Sequence, residues 1–89
     1  MKTVEVEIKN HAGLHARPSA LFVQTAIKFS SEVKVVSDGE EVNGKSIMGL
    51  MLLAAEKGRV LEIVTEGEDE DLAAETLRKL VEEDKFGEE

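Results

Sequence analysis

Thr3-Val4-Glu5-Val6-Glu7-Ile8-Lys9 alternates without a fault: Val4, Val6 and Ile8 fall on one side of an extended chain, and Glu5, Glu7 and Lys9 on the other. A period of two is the mark of a strand buried on one face and wet on the other. A sheet built from such strands needs covering on its dry face only. Further along, Val33 to Ser37 and Glu40 to Asn43 flank Asp38-Gly39. That dipeptide suits a type I′ hairpin turn, in which both central residues take positive φ. A fourth strand is expected at about Val60 to Thr65.

Helical patterns fill the gaps: Ala16 to Lys28, Ile47 to Ala55, and about Asp71 to Glu83. The last has an acidic start (Glu70, Asp71) and basic residues later (Arg78, Lys79), matching the helix dipole. Strand, helix, two strands, helix, strand, helix gives an α+β two-layer sandwich, a four-stranded sheet with three helices to cover it. With 89 residues the chain suffices for one domain, 1–89, and a charged tail after Val81, clear from about residue 84, is expected to fray.

Composition excludes several function classes. No apolar run approaches the ~18 residues of a membrane span, and the alternating start does not resemble a signal peptide. Zero cysteines remove disulfides, thiolate metal sites and thiol nucleophiles, which fits a reducing, cytoplasmic setting. A net charge of −8 argues against nucleic acid or anionic membrane as partner. The charge is uneven: residues 1–59 hold 8 basic and 7 acidic side chains, residues 60–89 hold 3 and 12. The first two thirds can therefore host an anion.

The first two helices carry more apolar surface than one sheet can cover. In the first, Pro18, Leu21, Phe22, Thr25 and Phe29 form the expected core face, and Ala16, Ala20, Gln24 and Ile27 the opposite one. In the second, Leu50, Leu53 and Ala54 oppose Ile47, Met48, Met51 and Ala55. Either the second helix is buried all round or it exposes an Ile/Met patch suited to transient partners.

Gly13-Leu14-His15-Ala16-Arg17-Pro18 holds the candidate chemistry. Proline is tolerated only in a helix's first turn, so Pro18 sets the helix start at residue 15 or 16 and His15 at or near the N-cap. Free amides and the positive end of the dipole there welcome an anion, and the Arg17 guanidinium can reach phosphate oxygens. The same dipole favours a neutral ring with a lone pair free to attack. The plain alternative is a solvated polar residue at a helix start.

His11 and His15 have metal-like spacing, but Gly13 intervenes and they share no helical face, so no metal is expected. A hydrolase built on His15 and Ser19 would need an orienting acid and an oxyanion pocket that so short a chain has little room for. Ser46, after Asn43-Gly44-Lys45, suits the N-cap of the second helix. It is either that cap alone or, when phosphorylated, a switch placing about −1.5 to −2 charges beside Ile47 and Met48.

With both segments in hand, residues 1 to about 83 resemble the HPr phosphocarriers of the phosphoenolpyruvate-dependent phosphotransferase system. The resemblance rests on Gly13-Leu14-His15-Ala16-Arg17-Pro18, like the family's active centre, and Lys45-Ser46-Ile47-Met48-Gly49, like the segment around its regulatory serine. It implies an open-faced sandwich with a four-stranded antiparallel sheet and three helices on one face, a monomer, no cofactor, and a carrier rather than an enzyme. It further implies that His15 takes phosphate on Nδ1 from phosphorylated enzyme I and hands it to an enzyme IIA, with Arg17 and the amides of Ala16 and Arg17 alongside. Ala20, Gln24, Ile27, Ile47, Met48 and Met51 would dock partners. Ser46 would be the target of an HPr kinase/phosphorylase and could recruit a transcriptional regulator.

The family's catabolite-repression paralogues lack the active-centre histidine, so His15 points to a true carrier. Leu53-Ala54-Ala55-Glu56-Lys57-Gly58 and the ending Lys85-Phe86-Gly87-Glu88-Glu89 also look like the nitrogen-branch carriers, which serve regulation instead of sugar uptake. A sugar-branch carrier, a nitrogen-branch carrier and a binding module controlled by Ser46 all stand as alternatives.

Overall fold

The structure, a computed structural model, describes residues 1–88. Its elements are β1 (Lys2–Glu7), α1 (Ala16–Ala26), β2 (Glu32–Ser37), β3 (Glu40–Asn43), α2 (Ile47–Leu52), β4 (Val60–Glu66) and α3 (Glu70–Glu82), followed by a tight 3₁₀ turn at Lys85–Gly87. The four strands form one antiparallel sheet in the order β1-β4-β2-β3. The three helices cover one face of it, the expected α+β open-faced sandwich.

Alternation in the strands sorts residues as expected. Val6, Ile8, Val33, Val35, Leu61 and Ile63 are buried, whereas Glu5, Lys9, Glu32, Lys34 and Glu62 are exposed. Asp38 and Gly39 have φ of 50° and 81°, the two positive values a type I′ turn requires, and Ser37 pairs with Glu40 across it. β1 ends at Glu7 rather than Lys9 because Ile8 pairs with a turn instead of β4: its amide donates to the Arg59 carbonyl and its carbonyl accepts from Gly58.

The helices depart from expectation in three places. Both α1 and α2 are shorter than their periodicity suggested, ending at Ala26 and Leu52. In α1 the buried set is Pro18, Ser19, Phe22 and Ala26, with Leu21, Thr25 and Phe29 half-buried at its flanks. α1 packs against both α2 and α3, and its buried set includes the small residues Ser19 and Ala26. In α2, Leu50 and Leu53 are buried as expected, but Ala54 is exposed and Ala55 buried. Ala54 takes φ of 49°, so the helix has ended and the chain direction has reversed before Ala55.

The third departure is the C-terminal segment. Instead of fraying after Val81, the chain keeps α3 to Glu82 and then turns so that Phe86 is wholly buried in the core. One large apolar side chain outweighs the surrounding charge, since burying a phenylalanine contributes about 1.5–3 kcal/mol. Within α3, Arg78 gathers Glu75, Glu82 and Glu83, and Glu82 accepts the Glu7 amide at 2.9 Å, tying the helix to the sheet edge.

Candidate functional site

His15 is held in place from behind. Gly13 takes φ of +71°, and a Cβ there would lie 2.4 Å from the Ala55 carbonyl oxygen, so only glycine fits. The Leu14 amide donates to that same carbonyl at 2.9 Å and the Leu14 side chain is buried. Asn10, also fully buried, donates from Nδ2 to the Gly13 carbonyl at 2.9 Å. The loop is thus fixed on both sides just before the chain enters α1.

His15 is the N-cap of α1, with extended backbone (φ −82°, ψ −170°) and no side-chain cap bond, so its ring is free for other work. Its carbonyl accepts the Ser19 amide at 3.0 Å, the first intrahelical bond. The amides of Ala16 and Arg17 precede that bond and are orphans of the helix start. Such amides, with the positive end of the dipole, are a place where an anion can be received.

Four side chains meet here. Glu88 Oε2 lies 2.9 Å from Arg17 Nη1 and 3.2 Å from His15 Nε2. Glu88 Oε1 accepts from Asn10 Nδ2 at 3.0 Å. Arg17 Nη1 also donates to the Phe86 carbonyl at 3.2 Å. The Asn10 amide, together with His15 and Arg17, holds the Glu88 carboxyl below the ordinary carboxylate range, against the opposing effect of partial desolvation. Nε2 faces this carboxylate, and Nδ1 is the ring nitrogen turned away from it.

The structure therefore brings His15, Ala16 and Arg17 together, as the sequence suggested, and adds Asn10 and Glu88, which it did not. Glu88 is 73 residues from His15, beyond the reach of any local pattern. Ser19 is buried, with its hydroxyl directed to the Leu14 carbonyl, which gives no support to a Ser/His pair. His11 is exposed, and among the described residues no group of metal-binding side chains occurs.

Ser46 caps α2: its Oγ accepts the Gly49 amide at 3.0 Å, and it remains half-buried. It shares no hydrogen bond with the His15 group among the described residues. Beyond it, Ile47, Met48 and Met51 are exposed, Met48 by 73%, so α2 is not buried all round. Leu52, 74% exposed, belongs to the same patch and was missed, although its spacing of four from Met48 signals it. On α1, Ala16, Gln24 and Ile27 are exposed and Ala20 half-buried. Because α1 and α2 pack together, the two outer faces adjoin. No helix of the described residues is long and apolar enough to cross a membrane.

Comparison with known proteins agrees with this geometry. The family model described as "PTS HPr component phosphorylation site" matches residues 2–83. The phosphocarrier protein HPr of Neisseria meningitidis serogroup A is 55% identical over 76 residues, covering 85% of each chain. The HPr-like protein Crh of Halalkalibacterium halodurans is 50% identical over 80 residues, 90% of this chain and 95% of its own. A crystal structure of HPr from Thermoanaerobacter tengcongensis superposes with a TM-score of 0.94 at 56% identity, covering 100% of this chain and 99% of that one. A second structure from that organism, described as an HPr dimer, gives 0.78 at the same identity and covers 99% of this chain and 100% of that one. The chain belongs to the HPr family of phosphotransferase-system phosphocarriers, proteins that carry a phosphoryl group and are not themselves catalytic enzymes.

Proposed function

We propose that this protein is a cytoplasmic phosphoryl carrier that accepts phosphate on His15 Nδ1 from phosphorylated enzyme I and donates it to an enzyme IIA. The observation that carries the proposal is the position of His15: an N-cap whose ring is not used for capping, beside orphan amides and the Arg17 guanidinium. In acceptance, the Nδ1 lone pair forms the new N–P bond while the bond from phosphorus to the donor breaks and its electron pair stays with the donor. The ring keeps its proton on Nε2. In donation the same events run outward from His15.

Arg17 and the amides of Ala16 and Arg17 bind phosphate oxygens, and the site stays open to solvent. A carrier must not bind its phosphoryl group too well, because stabilisation of the bound state is added to the barrier of the next transfer. Ile47, Met48 and Met51, with Ala20, Gln24 and Ile27, form the docking face for both partners.

A second reading, a binding module switched by a kinase at Ser46, is favoured by one observation: Ser46 immediately precedes the exposed Ile47 and Met48. Phosphate there would place charge at the edge of the docking face without opening the core. The two readings separate in one experiment, incubation with phosphoenolpyruvate, Mg²⁺ and an enzyme I that charges another carrier, followed by intact mass and acid treatment. The carrier gains one acid-labile phosphate, and His15→Ala gains none. An uncharged wild type would transfer the weight to the Ser46 module.

A further inference from the structure

Gly13 and Leu14 share one peptide group, and it is clamped at both ends. Its oxygen, the Gly13 carbonyl, accepts from Asn10 Nδ2 at 2.9 Å, and its N–H, that of Leu14, donates to the Ala55 carbonyl at 2.9 Å. The clamp stands just ahead of His15, beside a glycine with φ of +71° that would otherwise be the freest joint of the loop. The next two carbonyls are taken as well: that of Leu14 accepts the Ser19 hydroxyl at 3.4 Å, and that of His15 the Ser19 amide at 3.0 Å. Asn10 is the one side chain from outside α1 among these ties.

An asparagine is an unusual choice for the place. It is fully buried, and both its neighbours, the Gly13 carbonyl and Glu88 Oε1 at 3.0 Å, are acceptors, so the amide turns its NH2 toward them. Its Oδ1 is left in the interior with no hydrogen-bond partner among the described residues. An orphaned oxygen costs stability that an apolar side chain of the same size would not lose. A buried polar group kept under that penalty calls for a reason other than folding.

We infer that Asn10 is a positioning residue for phosphoryl transfer, locking the Gly13–Leu14 peptide plane and thereby fixing the direction in which His15 points. This rests on the His15 carrier reading. In a transfer between two proteins, the attacking nitrogen must meet a phosphorus held by the partner, in line with the bond that breaks. Docking brings the surfaces together, but it does not orient a ring whose own backbone swings. A misplacement of about 1 Å lowers the rate of such a step about a hundredfold. Because Asn10 is fully buried it touches no partner, so its loss belongs to the transfer step and not to docking.

The test is single-turnover transfer from phosphorylated enzyme I, read by rapid quench as the concentration of the full-length carrier is raised. Wild type is compared with Asn10→Ala and Asn10→Leu. Both variants lack the donor, and leucine also fills the space, so it stays measurable where alanine unfolds. The limiting rate is expected to fall about tenfold to a hundredfold in each, with the half-saturating concentration within about twofold of wild type. Asp69→Ala, which breaks the tie of α3 to Ser30 and Ser31 instead, should keep the wild-type limiting rate. A matching loss there would reduce Asn10 to a structural part and overturn the inference. An unchanged limiting rate in the Asn10 variants would overturn it too, as would a raised half-saturation alone. Asn10→Ala in a Glu88→Ala chain separates the two bonds of the amide: the loss should persist, and its disappearance would refute the peptide clamp. Should the wild type itself accept no phosphate, the carrier reading falls, and the inference with it.

Discussion

A methyl group at position 13 would meet the Ala55 carbonyl oxygen at 2.4 Å and the Glu56 Cα at 3.0 Å, on a backbone with φ of +71°. Neither obstacle can step aside, because the first is backbone already accepting the Leu14 amide. Gly13→Ala is therefore expected to cost about 3 kcal/mol. Urea unfolding should show a lower midpoint with an unchanged slope; an unchanged midpoint would mean that the loop rearranges freely. His15, Arg17 and Pro18 were legible in the sequence because capping and proline rules are local. Asn10 and Glu88 were not, since a contact spanning 78 residues leaves no mark on either segment.

Between elements, Asp69 joins the start of α3 to the chain entering β2. Although it is the N-cap of α3, its carboxylate makes no cap bond within that helix. It accepts the amides of Ser30 and Ser31 at 2.9 and 3.0 Å and the Ser31 hydroxyl. Led by the Ser31 hydroxyl, these donors lower its pKa from 3.8 to about 2. A depressed carboxyl contributes stability that is complete above its unfolded value and fades as pH falls toward the folded one. Thermal melts should show wild type more stable than Asp69→Ala at pH 6, with the gap closing from about pH 4 to pH 2; a gap constant over that range would exclude the linkage. At this scale the strands were legible because alternation survives any packing. On the buried face of α1, Pro18 and Phe22 were legible, whereas Ser19 and Ala26, small residues that hydrophobic periodicity scores weakly, were not. The end of α2 was hidden as well: nothing in Leu53-Ala54-Ala55 breaks a helix pattern, yet Ala54 takes φ of 49°.

Along the whole chain, the exposed Ile47, Met48, Met51 and Leu52 of α2 precede the acidic surplus of residues 60–89. The acidic side chains of residues 60–89 lie mainly on α3 and the segments beside it, and Ile47, Met48, Met51 and Leu52 on α2. Met48→Asp should raise the KM for phosphorylation by enzyme I about tenfold while leaving kcat and the melting temperature nearly unchanged, because the side chain is 73% exposed. Steady-state kinetics and a melt check this together; an unchanged KM would take Met48 out of the docking face. The two-layer class could be read from the order of elements. The strand order could not, since alternation says which face is wet and nothing about neighbours.

That strand order also has a consequence for synthesis. β4 pairs on one side with β1 and on the other with β2, so it is the only link between the start of the chain and the β2–β3 hairpin among the described residues. It is also the last of the four strands a ribosome makes. At about 5–20 residues per second, β1 waits several seconds for its partner, with its apolar side uncovered throughout. The hairpin can close early, but the sheet cannot. Folding is thereby deferred until β4 has been made, and a nascent chain stalled before Val60 offers exposed strands to chaperones in place of a partly built domain.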